Sequence, residues 1–180
     1  MIKTIDIQSG ETAGLYQYLS AAVTPRPIAF VSTIDAEGNE NLSPFSFFNV
    51  FSINPPILVF SPVRRVRNNT SKHTLDNVNQ VKECVISLVT DEIAQQVSLA
   101  SSDFNKETNE FEKAGFTAIK SDLISPSRIK ESPINFECKV NEVITLGKEG
   151  GAGSLVLCEV LKMHIDESIL DKDNAIDPFK

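Results

Sequence analysis

Residues 24–62 read TPRPIAFVSTIDAEGNENLSPFSFFNVFSINPPILVFSP. Pro25 and Pro27 push the residues before them out of the helical region, so no helix runs through the start of this stretch. Ile28 to Ile34 is rich in β-branched residues and predicts a strand. Asp35 to Asn39 is a turn in which Gly38 is free to take a positive φ. Leu42 to Val50 returns as a second strand, bent at Pro44, and after Pro55-Pro56 a third strand spans Ile57 to Ser61.

The rest of the chain extends this pattern. Upstream, Leu15, Tyr18 and Leu19 stand at helical spacing within Thr12 to Val23 and predict a short helix. Downstream, a helix is expected over Thr74 to Gln80, with Ser71 or Thr74 as N-cap. A strand follows at Cys84 to Val89, then helices at Ile93 to Leu99 and Glu110 to Ala114, the second closed by Gly115. Asn135 to Leu146 and Leu155 to Ile165 read as long strands joined through Gly147 to Gly153, and the polar tail from Ile169 to Lys180 is expected to be loose. Six or more strands without regular strand–helix alternation argue against a doubly wound parallel sheet. They point to a mainly β protein, an antiparallel barrel with short added helices.

A length of 180 residues suits one domain, and 41% hydrophobic residues supply a core. A net charge of −7 disfavours nucleic acid and anionic membrane as partners, since both call for a broad basic surface. Cys84, Cys138 and Cys158 are an odd set, widely spaced in sequence, and indicate a reducing compartment rather than a disulfide framework. No signal-peptide pattern opens the chain and no apolar run is long enough to span a bilayer, so a cytoplasmic location is expected.

Charge is unevenly distributed. The chain carries 24 acidic residues, yet none lies between Glu40 and Asp76, where Arg64, Arg65, Arg67 and Lys72 stand among Ser, Thr, Asn and Phe. Such a stretch makes room for an anion with a flat apolar body, and a flavin phosphate meets that description. The alternative is that much of the stretch is buried strand, where charges are rare in any case. Within it, Ser61 to Val78 offers a strand end, then cations, then a helix start. A phosphate there would meet unpartnered helix amides, the Thr74 hydroxyl, Lys72 and an arginine. A solvated basic loop is the competing reading. Asn41 to Phe48 is the second candidate, because a proline inside a strand implies an edge or bulge with backbone groups left over for a polar ring edge. An ordinary edge strand is its alternative.

Other chemistries find no support. Gly150-Gly151-Ala152-Gly153 fails as a dinucleotide fingerprint, since Val156 stands where the third glycine belongs and a strand follows. His73 and His164 are the only histidines and have no metal-ligand spacing. No G-x-S-x-G elbow and no paired-carboxylate motif occurs. Chemistry carried by a cofactor needs none of these, only binding and orientation.

Several segments, taken in order, resemble the flavin reductase-like, FMN-binding split-barrel family, to which flavoredoxin belongs. Residues 24–62 are similar to its first three strands, and KHTLDNV at 72–78 to its K-D-T-x-x-N-I motif, with His73 in place of Asp. NEFEKAGFTAIKSDLISPSRIKESPINFECKV at 109–140 and GSLVLCEVLKMHID at 153–166 resemble its later segments. The resemblance covers about residues 23–166 of a single 1–180 domain. It implies a six-stranded split barrel that binds FMN as a homodimer, with the flavin near the subunit interface. It implies Ser32 and Thr33 beside the flavin, Ser43, Pro44, Phe45 and Ser46 along the ring, and Ser61 near the ribityl chain. Lys72 and Thr74 would hold the phosphate, with Arg67, and after it Arg26, as candidate helpers. NADH or NADPH is the implied hydride donor, and no side chain is implied as a catalytic acid or base. A non-catalytic flavin electron carrier serving a protein partner uses the same pocket, and a barrel that has lost its cofactor is a third reading. The chain stops soon after its last strand, whereas many relatives run on.

Overall fold

The computed structural model of the chain describes residues 1–7, 12–102, 104 and 108–180. Helix α1 (Thr12–Ala22) precedes β1 (Ala29–Ile34), β2 (Glu40–Phe45), β3 (Phe48–Ile53) and β4 (Pro56–Phe60). Then come α2 (His73–Gln80), β5 (Glu83–Leu88), α3 (Ala94–Ala100), α4 (Glu110–Ala114), β6 (Ala118–Ile119) and β7 (Arg128–Ile129), and finally the long strands β8 (Ile134–Thr145) and β9 (Ser154–Ile165). The main sheet has seven strands in the order β2-β1-β5-β8-β9-β4-β3, and β6 pairs with β7 apart from it. All the pairings are antiparallel.

The fold class is the one the sequence predicts, with one strand more than six. The run expected as a single strand over Leu42 to Val50 breaks between Phe45 and Phe48. Up to Phe45 the chain pairs with β1, and from Phe48 it pairs with β4 at the other margin of the sheet. Ser46 and Phe47 therefore carry the chain from one edge of the sheet to the other, curling it into a split barrel. The Ser61 amide donates to the Phe47 carbonyl at 2.9 Å beside this crossing, and the rings of Phe45 and Phe60 stand 5.2 Å apart just inside it.

Strand alternation divides the apolar residues into two cores. Ala29, Val31, Phe45, Phe60, Ile86 and Val156 fill the barrel, and Leu75 and Val78 of α2 join the same cluster. On the outer face of β1 and β2, Phe30 and Leu42 pack with Val97 of α3 and Phe111 of α4. Gly115, at φ 74°, closes α4 in the left-handed region, as the sequence suggests.

The cysteines, remote in sequence, meet in the barrel core. Cys84 faces Cys138 in the strand register, and its Sγ lies 3.7 Å from that of Cys158. All three are free thiols. The tail expected to be loose is tied into turns: Asp171 Oδ1 accepts from the amides of Asp173 and Ala175 at 2.8 and 2.9 Å, and the Asp177 amide donates to the Ile169 carbonyl at 2.9 Å.

Candidate functional site

The crossing between the sheet margins lines a cavity of about 210 Å³. Pro44, Phe45, Ser46 and Phe47 form one wall, and Ser61 and Val63 enter from the end of β4. Lys72, just ahead of α2, and Tyr16 of α1 complete it. Five of the residues expected at a cofactor site, Pro44, Phe45, Ser46, Ser61 and Lys72, thus converge here from three segments.

The other five stand elsewhere. Ser43 is half-buried in β2, opposite Val31. Ser32 is fully buried, and among the described residues its hydroxyl is a buried polar atom with no hydrogen-bond partner. Thr33 and Thr74 are also fully buried. Thr74 Oγ1 accepts from Asn41 Nδ2 at 2.9 Å and Thr33 Oγ1 from Asn77 Nδ2 at 3.1 Å. Thr33 and Asn41 face each other across β1 and β2, so these two bonds pin α2 over the end of the barrel. Thr33 and Thr74 thereby fix where α2 begins and lie outside the cavity wall. Arg67 is exposed on the loop between β4 and α2.

Neither expected N-cap holds. Lys72 is the N-cap of α2 and makes no side-chain capping bond. Ser71 Oγ donates instead to Asp76 Oδ1 at 2.7 Å. The four cations of the basic loop also differ in task. Arg64 Nε donates to Asn69 Oδ1 at 2.7 Å, and its other end reaches the Asn69 carbonyl. Arg65 donates to Thr70 Oγ1 at 3.3 Å and to the Ser71 carbonyl. These two guanidinium groups fold the loop onto itself, which leaves Lys72 as the cation on the cavity wall.

The hairpin turn between β8 and β9 braces this loop. The Arg64 amide donates to the Ala152 carbonyl at 2.9 Å, the Gly151 amide to the Arg64 carbonyl at 3.0 Å, and the Ser154 amide to the Pro62 carbonyl at 3.0 Å. A Cβ at Gly150 would stand 2.9 Å from Val66 Cα, and one at Gly153 would stand 2.7 Å from Ser61 Oγ. Gly150 is therefore needed for close approach to the basic loop, and Gly153 for close approach to Ser61. In Gly150→Ala, the backbone of the loop must move. We expect stability to fall by about 1–3 kcal/mol, read from the urea midpoint, and whatever the Lys72 cavity binds to be held less tightly.

The residues present fit a flavin phosphate: one lysine and two serine hydroxyls for the anion, aromatic walls for a flat ring, and backbone at a strand break. The cavity is too small to enclose FMN whole. A second hollow of about 270 Å³ adjoins it, lined by Pro44 and Ser46 from one side and by Val97 and Ser98 of α3 from the other. Phe47 and Val63 fall within the two candidate segments without having been singled out, and Tyr16 lies outside both of them.

One further cluster lies on the opposite flank. The carboxylate of Glu137 is fully buried and accepts from the amides of Asp122 and Leu123 at 2.8 and 2.7 Å, with His164 Nε2 2.7 Å away. Burial pushes its carboxyl up, but the two amides and the His164 ring outweigh burial and hold it below the usual glutamate value. Asp122 is lowered as well, chiefly by its hydrogen bond from Lys162. The ligand atoms of Asp122, Glu137 and His164 lie within 4.8 Å of one another. Lys162 and Arg128 already supply positive charge to them, at 2.8 Å and at 3.8 to 3.9 Å. His164, expected to be structural, serves here as part of an ion network.

Comparison with known proteins agrees with this fold. Residues 21–177 match the flavin reductase like domain family. A protein of Aquifex aeolicus is 38% identical over 91% of this chain and 82% of its own length. Nitrilotriacetate monooxygenase component B from Bacillus cereus superposes with a TM-score of 0.91 at 27% identity, covering 98% of this chain and 87% of that one. A protein with a split barrel domain from Shewanella frigidimarina superposes with a TM-score of 0.80 at 26% identity, over 95% and 82% of the two chains.

Proposed function

Because the chain belongs to the flavin reductase like domain family, we propose that it is an FMN-dependent oxidoreductase that takes hydride from NADH or NADPH and passes electrons to a further acceptor. The observation that carries this reading is the convergence of Lys72, Ser61, Ser46 and Phe45 on one cavity at the closure of the barrel. Bound FMN would supply the two-electron chemistry there. Lys72 binds the phosphate, and the Ser61 and Ser46 hydroxyls hydrogen-bond the polar parts of the cofactor. Phe45 and Phe47 exclude water from one side of a flat ring, and the backbone at the crossing meets its polar edge. Thr33 and Thr74 act at one remove, by seating α2 and hence Lys72. Ser43 and Ser32 support β1 and β2 behind the ring, and Arg67 adds positive potential to the approach. No side-chain acid or base is required.

The active form is a homodimer with the site near its interface. The edge strand β3 leaves Phe51 and Ile53 at 69% and 82% exposure, and an apolar edge strand of this kind calls for a covering partner. Light scattering tests this. The chain works in the cytoplasm, which suits three free thiols. No helix among the described residues is long and apolar enough to cross a membrane.

The direct experiment is to purify the protein, add FMN, remove the excess and record the visible spectrum. A retained flavin spectrum, with NADH or NADPH consumed under turnover, is the expected result. Colourless protein sinks the proposal. Coloured protein that oxidises neither nicotinamide is an electron carrier.

A further inference from the structure

Helix α1 lies almost wholly ahead of residues 21–177, the stretch that matches the family. It nevertheless supplies a wall of the cavity. Tyr16 lines that cavity together with Lys72 and Ser61, and its ring stands 6.4 Å from that of Phe47. Tyr16 is still 57% exposed, so a flat molecule in the cavity would gain contact with an aromatic face that water now covers.

The helix is fastened to the same wall by Arg26. That guanidinium donates to the carbonyls of Ser20 and Val23 at the end of α1, the latter at 2.8 Å. Its Nε donates to Ser46 Oγ at 3.4 Å, and its Cζ lies 5.8 Å from the centre of the Phe47 ring. One side chain thus binds the C-terminal carbonyls of α1 to the two residues that close the barrel, an arrangement that also suits the negative end of a helix.

We infer that α1 is a cover for the cofactor seat, in which Tyr16 stacks on bound flavin and slows its release while Arg26 holds the helix over the crossing. This rests on the proposed FMN function. Tyr16 contacts the cofactor and Arg26 is a positioning residue acting through the helix; neither takes part in hydride transfer. The cover makes FMN a retained prosthetic group rather than a substrate that comes and goes each turnover.

Release of FMN from the loaded full-length protein tests the inference, followed after rapid dilution by the returning fluorescence of free flavin. Tyr16→Ala is expected to release FMN about tenfold faster, the range of an aromatic stacking pair. Tyr16→Phe keeps the ring and is expected to release it at the native rate. Arg26→Met frees the helix and is expected to speed release, and the double variant Arg26→Met/Tyr16→Ala is expected to be no faster than Tyr16→Ala alone, because both act through one cover. Far-UV circular dichroism confirms that each variant is folded. A native release rate in Tyr16→Ala, or equal acceleration in Tyr16→Phe, overturns the cover while leaving the FMN function intact. Wild-type protein that takes up no FMN overturns both.

Discussion

Lys72→Ala is expected to weaken FMN binding by roughly 1–3 kcal/mol, the loss of one charge-assisted bond, or about 5- to 150-fold in Kd. Lys72 is the cation on the cavity wall, since Arg64 and Arg65 bind groups of their own loop. The effect should shrink as salt rises, because the cavity is open to solvent and the charge is screened. Lys72→Arg should recover part of the affinity. Flavin fluorescence quenching at two ionic strengths measures both. An unchanged Kd in Lys72→Ala moves the phosphate away from α2.

Glu137→Ala is expected to cost about 3–5 kcal/mol of stability, since it leaves two amides, the His164 ring and the Arg128 charge without their buried acceptor. In wild type, Glu83 Oε2 and Glu40 Oε1 also accept from the amides of Ser125 and Ser127, at 2.8 and 3.1 Å. A strap over residues 121–129 is thus held to the sheet by carboxylates. The pH dependence follows from the direction of the shift. Glu137 is lowered in the folded protein, so its stabilisation is complete above the ordinary glutamate value of about 4.3. It is lost as pH falls through the lower folded value. Acid unfolding of wild type should therefore steepen below about pH 4.3, and Glu137→Gln should be less stable at neutral pH with a shallower acid slope. Urea midpoints across that range decide it. A Glu137→Ala protein as stable as wild type would show that the buried carboxylate is dispensable.

Much of this fold is written in local pattern. β1, α4 with its Gly115 cap and the β8–β9 hairpin lie within a residue or two of where periodicity and turn residues put them. The break at Ser46-Phe47 is not legible, because Phe45, Phe47, Phe48 and Val50 read as one apolar strand. Only the pairing of Phe45 with β1 and of Phe48 with β4 divides it. Lys72 is legible as a candidate from the charge gap, and Ser61 from the family resemblance; both line the cavity. The burial of Thr74 is not legible, since its partner Asn41 lies 33 residues away. For the same reason widely spaced cysteines gave no hint that they share a core. Tyr16 is not legible as a cavity residue, because a helix face turned to a cavity has the same spacing as one turned to a core.

The two residues that join the margins of the sheet have a thermodynamic consequence. The hollow at that seam exists only when the last rung of the barrel is shut, so assembling the pocket and completing the fold are one event. A molecule lodged there holds the clasp closed, and its saturation adds directly to the free energy of unfolding, by about 2.7 kcal/mol at a hundred times its Kd. The melting temperature of this chain is in that sense a readout of occupancy.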